Sequence, residues 1–86
     1  MWEIYYTKQA ITDSKRIIES GLTEKAKHLI SMLKENPYQN PPPYEKLIGY
    51  LSGVYSRRIT IQQRLIYQIY SDEHVVKIIR MWTHYE

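Results

Sequence analysis

The sequence predicts an α+β domain: a mainly antiparallel sheet with an N-terminal strand and a two-helix hairpin packed on one face. Three observations lead there. Apolar residues recur at helical spacing between residues 8 and 36, and a proline-rich stretch then interrupts the pattern. Three β-rich runs separated by short polar links follow it. The chain has 86 residues, 43% of them hydrophobic, which suits one domain spanning 1–86 with one modest core. It contains no cysteine, so no disulfide forms, which fits a reducing compartment. No apolar run reaches the length of a membrane span and the N-terminus lacks a signal-peptide pattern, so a soluble cytoplasmic protein without membrane contact is expected.

Trp2 to Tyr6 are apolar, aromatic and β-prone, and read as the first strand. Thr7 offers an N-cap, because its hydroxyl can accept an orphan amide of the first helical turn. Ala10, Ile11, Ser14, Ile17 and Ile18 then mark a helix, and Gly21 ends it. A second helix begins near Leu22 or Thr23, carries Ala26, Leu29, Ile30 and Leu33 as its stripe, and stops at Pro37. The short link at Gly21 makes the two helices antiparallel neighbours, and their polar positions read as a solvated face. Asn36 to Tyr44 holds four prolines, three in succession, and reads as a stiff, extended connector. Gly49 and Gly53 bracket a bend or bulge. Val54–Ile61, Arg64–Tyr70 and Val75–Thr83 read as consecutive strands, joined by a two-residue turn at Gln62-Gln63 and by Ser71–His74.

The formal charge of +3 tilts the chain towards polyanionic partners without proving them. Nine tyrosines, two tryptophans and no phenylalanine supply rings that can fill a core or stack on bases. The sheet half carries Arg57, Arg58, Arg64, Lys77 and Arg80, with Lys46 just before it. Strand alternation puts Arg58 on the face of Val54, Ser56 and Thr60, and Arg57 on that of Tyr55 and Ile59. The turn brings Arg64 near the Arg58–Ile61 end. Guanidinium forks bind phosphate oxygens in pairs and stay charged, although surface arginines paired to Glu45, Asp72 or Glu73 would show the same spacing. His84 and Tyr85 stand where the last strand leaves the sheet, and an imidazole titrates in the range that proton transfer needs. A polar strand end is the plainer account of that pair. His28, His74 and His84 do not fall at ligand spacing on any one element, so no metal site is expected. His28 reads as a surface residue. There is neither a glycine-rich phosphate loop nor a Gly-x-Ser-x-Gly elbow.

The run from Leu47 to Thr60, with Leu51-Ser52-Gly53-Val54-Tyr55-Ser56-Arg57-Arg58-Ile59 at its centre, is followed by Arg64-Leu65-Ile66-Tyr67 and the terminal His84-Tyr85. Together these resemble the YoeB/Txe toxins of the RelE superfamily, over about half the chain from Glu45 onward. The resemblance implies a RelE-like, microbial-ribonuclease-like fold. It also implies a toxin of a type II toxin–antitoxin system that cuts mRNA in the A site of the 70S ribosome. Glu45 falls on the family's catalytic carboxylate, Arg64 and Arg58 on its phosphate-binding arginines, and His84 and Tyr85 on its terminal catalytic pair. Arg57 and Lys46 complete the expected RNA and phosphate contacts.

In that mechanism the ribose 2′-hydroxyl attacks the adjacent phosphate, Glu45 takes its proton and His84 protonates the departing 5′ oxygen. Arg64 and Arg58 stabilise the five-coordinate phosphate, and Tyr85 orients or stacks on the nucleotide. Neither metal nor other cofactor takes part. The resemblance also implies an antitoxin of YefM/Axe type, whose acidic segment would wrap the basic sheet face, and it allows a homodimer. Three positions depart from the family pattern: Ile48 stands where a lysine is usual, Gln63 where a histidine is frequent, and Glu86 follows Tyr85. The alternative is a non-catalytic RelE/ParE-fold inhibitor binding gyrase or the ribosome, which has no use for Glu45, Arg64 and His84-Tyr85 together. A docking module that has lost activity stays open as well.

Overall fold

Local capping and two buried charges explain where each element starts and stops. The computed structural model describes residues 1–47 and 53–82. Its elements are β1 (Glu3–Tyr6), α1 (Lys8–Glu19), α2 (Thr23–Glu35), β2 (Glu45–Lys46), β3 (Val54–Arg58), β4 (Arg64–Tyr70) and β5 (Val75–Arg80). The strands form one sheet in the order β1-β5-β4-β3-β2. Neighbours are antiparallel except β1 and β5, which run parallel with Glu3 beside Val75 and Tyr6 beside Ile78. The fold is the expected α+β class.

Thr7 caps α1, its Oγ1 accepting the Ala10 N–H at 3.0 Å while donating to the Ile79 carbonyl at 2.8 Å. One hydroxyl thus starts the helix and stitches it to β5. At the other end Gly21 sits at φ 73°, with its N–H on Ile18 O (3.1 Å) and the Leu22 N–H on Ile17 O (3.0 Å). This pair of bonds is the Schellman closure, and it turns the chain straight into α2.

The helices cover one face of the sheet. Ala10, Ile17, Ala26, Leu29, Met32 and Leu33 pack there against Leu65, Tyr67, Ile69, Val76 and Ile78. Leu47, Val54 and Ile66 form a second, smaller cluster with Ile79. The stripe on α1 differs from the expected one. Ala10, Asp13 and Ile17 are buried, whereas Ile11 and Ile18 are exposed along a cavity of about 280 Å³ between the helices. The line at i, i+3 and i+7 runs through an aspartate that composition assigned to the solvated face.

Three strand boundaries also move. β3 ends at Arg58, so Ile59–Gln63 make a longer connection than the two-residue turn. Thr60 Oγ1 accepts the N–H groups of Gln62 and Gln63, and Ile59 and Thr60 both donate to Gln63 O. That side-chain turn competes successfully with the ladder. β5 stops at Arg80, three residues short of the expected end. Glu45–Lys46, assigned to no element from the sequence, form a short edge strand on β3. Gly53 lies at φ 81° as β3 begins; its carbonyl accepts the Ile69 N–H, and a Cβ there would stand 3.1 Å from Ile69 O. Gly49, the other half of that expected bend, lies outside the described residues.

Candidate active site

Arg57 determines how the connector reaches the sheet. It is 1% exposed, on the helix-side face with Tyr55 and Ile59. Its Nε donates to Tyr67 Oη (2.7 Å), one terminal nitrogen to Pro42 O (2.6 Å) and the other to Pro37 O (2.9 Å). The Tyr44 ring lies 4.7 Å from the guanidinium carbon. Two carbonyls five residues apart on one guanidinium require the connector to curl, and it bends at Pro41 and Pro42 instead of running extended. Burial beside these groups pushes the Tyr67 phenol up to about 12, partly offset by Arg57. Arg57 therefore corrects the expected phosphate contact: a guanidinium closed inside the fold has no free fork to offer a ligand. Its alternation with Tyr55 and Ile59 was the available signal.

Four of the seven described tyrosines pack ring against ring. Trp2, Tyr38, Tyr55, Tyr44 and Tyr67 form a chain of rings with centroid separations of 5.4 to 6.3 Å. His74, in the β4–β5 turn at φ 60°, stacks on Trp2 at 3.9 Å, which accounts for it without a ligand.

The curled connector delivers Glu45 into β2, opposite Ser56. Ser56 stands opposite Ile66, so one row crosses three strands, and a register shift between Ile66 and Tyr67 leaves Ile79, not Arg80, packed beside Ile66. Two positions along, Arg58 faces Arg64. Cross-strand partners share a face, so Glu45, Ser56, Arg58 and Arg64 lie on one side of the sheet at one end. Glu45 Oε1 accepts from an Arg64 terminal nitrogen at 3.2 Å; the carboxylate side chain is 58% exposed and the arginine 11%. The pairing of Arg64 with Glu45 that surface arginines would show is present, yet Arg64 is largely buried. Two guanidiniums directly opposite repel, which makes this end of the sheet ready for an anion. Ser56 Oγ is buried beside them with no hydrogen-bond partner among the described residues.

Arg58 is exposed and also borders an open depression of about 540 Å³ with Lys25, His28, Leu29, Pro42 and Ile59. His28, expected to be a surface residue, and Lys25 thus adjoin an expected phosphate contact. Only tertiary packing of α2 on the end of β3 reveals this. Lys46 is exposed on β2 beside Tyr55. His84 and Tyr85, and the departures Ile48 and Glu86, lie outside the described residues. Gln63 is held in the Thr60 turn next to Arg64. Among the described residues no three His, Asp or Glu side chains gather into a set able to hold a metal ion. No described helix is long and apolar enough to cross a membrane.

Met81 and Trp82, which follow β5, are held by Asp13, 2% exposed on α1. Its Oδ2 accepts from Arg80 Nε (2.8 Å), Met81 N–H (3.0 Å) and Trp82 N–H (3.2 Å). Its Oδ1 accepts from Gln9 Nε2 (3.3 Å) and Arg80 (3.4 Å). Burial opposes the charged carboxylate, but Arg80, the Met81 amide, Gln9 and the Trp82 amide together hold its pKa below the usual carboxylate value. Taking the Met81 and Trp82 amides from the ladder explains why β5 ends at Arg80.

Comparison with curated protein sequences finds no match. Solved structures do match. A YoeB/ParE toxin from Agrobacterium tumefaciens is 26% identical, with a TM-score of 0.84 over 96% of this chain and 99% of that one. A YoeB dimer from Staphylococcus aureus is 30% identical, with a TM-score of 0.81 over 98% of each chain. The toxin of a YoeB–YefM complex from Staphylococcus aureus is 28% identical, with a TM-score of 0.79 over 99% of each. The family model of the YoeB-like toxin of bacterial type II toxin–antitoxin systems matches residues 4–85. With nearly its whole length matched by that model, the chain belongs to the YoeB-like toxins of bacterial type II toxin–antitoxin systems.

Proposed function

We propose that this toxin is a ribosome-dependent mRNA endoribonuclease, working by general acid–base catalysis through the 2′-hydroxyl without a metal. The observation that carries the reading is the Glu45–Arg64 pair opposite Arg58, at the sheet end from which β5 leads to His84 and Tyr85. Those two residues follow Trp82 by two and three positions. An extended chain advances roughly 3.5 Å per residue, so covalent linkage keeps their backbone within about 11 Å of Trp82.

In the reaction Glu45 accepts the 2′-hydroxyl proton as the O2′–P bond forms. Arg64, with Arg58, carries the extra charge of the five-coordinate phosphate. His84 protonates O5′ as the P–O5′ bond breaks, and Tyr85 orients the nucleotide. The products are a 2′,3′-cyclic phosphate, or its opened 3′-phosphate, and a 5′-hydroxyl. DNA, lacking the attacking group, is spared. Substrate and machinery are mRNA in the A site of the 70S ribosome, and the toxin acts in the cytoplasm.

The reading includes a neutralising partner. The related Staphylococcus aureus toxin is known in complex with YefM. An acidic antitoxin segment of that type suits the end of the sheet that carries Arg58, Arg64 and Lys46. The dimer of that relative makes self-association the second assembly to measure.

The test maps 5′ ends on mRNA incubated with programmed ribosomes and the purified chain. Wild type cuts within A-site codons; Glu45→Gln and His84→Gln cut at least about a hundredfold more slowly, the scale of a lost general base or acid. Equal cutting by all three overturns the assignment. DNA damage with intact mRNA points instead to the gyrase-binding alternative.

A further inference from the structure

Asp13 has no part in the chemistry above, and the way its oxygens are used is unusual for a core position. A carboxylate on the inner line of a helix, between Ala10 and Ile17, is costly to bury. A single ion pair to Arg80 would tie α1 to β5, and an apolar pair of similar size would hold the two elements as well or better. What the carboxylate adds is main-chain bonding. The Met81 N–H, the Trp82 N–H and, through Arg80, the Trp82 carbonyl (3.2 Å) are all held. Three successive peptide units immediately after β5 are therefore fixed to α1 through one side chain. Thr7 adds a neighbouring stitch to the Ile79 carbonyl. Met81 itself is buried in the core. His84 follows Trp82 by two residues.

We propose that Asp13 is a positioning residue for the terminal His84-Tyr85 pair, anchoring the chain at Met81 and Trp82 so that the segment carrying the acid leaves the sheet from a fixed point. The proposal rests on the nuclease reading above and deepens it. Five donors converge on the two oxygens, three of them on Oδ2. An asparagine offers only one accepting oxygen, and its amide nitrogen would confront a donor. Asp13→Asn is therefore nearly isosteric yet unable to hold the set. Arg80→Lys keeps a cation for the carboxylate but cannot also span to the Trp82 carbonyl, because an ammonium lacks the fork.

The experiment measures single-turnover cleavage and apparent ribosome affinity for the full-length wild type, Asp13→Asn and Arg80→Lys. A core variant of comparable stability, Ile69→Val or Leu33→Ala, is carried alongside. A displacement of about 1 Å at a reacting group costs on the order of a hundredfold in rate. The expected result is a turnover about 10- to 100-fold slower in Asp13→Asn and several-fold slower in Arg80→Lys. Ribosome affinity should stay within about threefold of wild type, and the core variant should cut at the wild-type rate. Hydrogen exchange adds a readout that does not depend on cleavage: the Met81 and Trp82 amides should exchange at least about tenfold faster in Asp13→Asn, with β4 amides unchanged. Wild-type turnover in Asp13→Asn overturns the proposal. So does an equal loss in the core variant, which would reduce Asp13 to a stabilising contact. If the wild type cuts nothing, the nuclease reading fails and the role in that reaction fails with it. Exchange then judges the anchor alone: faster exchange upholds it, and unchanged exchange overturns it.

Discussion

Arg57 and Asp13 are both charges buried on the helix side of the sheet, and the molecule compensates them in opposite ways. Among the described residues Arg57 has neutral partners: two proline carbonyls, a phenol and the face of a tyrosine ring. Asp13 has a counter-ion, Arg80, whose side chain is itself 39% exposed, together with two main-chain amides. Each holds the segment that precedes a candidate catalytic residue, the connector before Glu45 in one case and the strand end before His84 in the other. The fold can spare Asp13 more readily than Arg57. Removing Arg57 leaves the buried Pro37 carbonyl and Tyr67 phenol unpaired together with the part-buried Pro42 carbonyl, whereas removing Asp13 frees two amides and an arginine that can rehydrate.

The largest effect on stability is expected from Arg57→Met, which leaves both carbonyls and the phenol unpaired and costs about 3 kcal/mol or more, read from the urea midpoint. Arg57→Lys recovers only part of that, since a point charge does not bridge Pro37 O and Pro42 O. Asp13→Ala should cost less, about 2 kcal/mol, because the released Arg80 already meets solvent. If Asp13→Ala proves the more damaging, the ranking of the two anchors is wrong.

Titration separates them further. The Asp13 pKa is lowered by folding, so its contribution is present above the unfolded carboxylate value and is lost as pH falls through the folded one. The stability gap between wild type and Asp13→Asn should therefore narrow below about pH 4. Tyr67 is raised to about 12, so its neutral form favours the fold. That contribution is present below the unfolded tyrosine value and fades as pH rises from about 10 towards 12, a decline that Tyr67→Phe should diminish. One anchor yields to acid, the other to alkali. The smallest stability effect belongs to Glu45→Gln. Its carboxylate is more than half exposed, and after allowance for solvent screening the pair with Arg64 is worth no more than about 0.5 kcal/mol. A larger loss would make that pair a structural bridge.

Much of the architecture was legible because it depends on local chemistry. Thr7 and Gly21 announce a cap and a closure, and the apolar period changes from helix to strand across the prolines. The site residues on β3 and β4 were legible from alternation and turn placement. The rest depended on contacts between distant segments. β2 is two residues long and exists only because Arg57 brings the connector alongside β3, so no periodicity marks it. An aspartate at i+3 from Ala10 looks the same in sequence whether it meets water or two amides 68 and 69 residues away. Arg57 and Arg58 are adjacent and chemically identical, and only the face on which each falls makes one a structural pin and the other a candidate ligand. Lys25 and His28 join Arg58 through the packing of α2, which their own helix does not encode.

The parallel pairing of β1 with β5 has a consequence for synthesis. Glu3 finds its place beside Val75, so β1 must wait without that partner until β5 has been made. Closing a loop of that span is entropically demanding and slows folding. A nascent copy thus lacks its finished sheet until β5 has been made, which postpones the complete fold until both ends of that pairing are available.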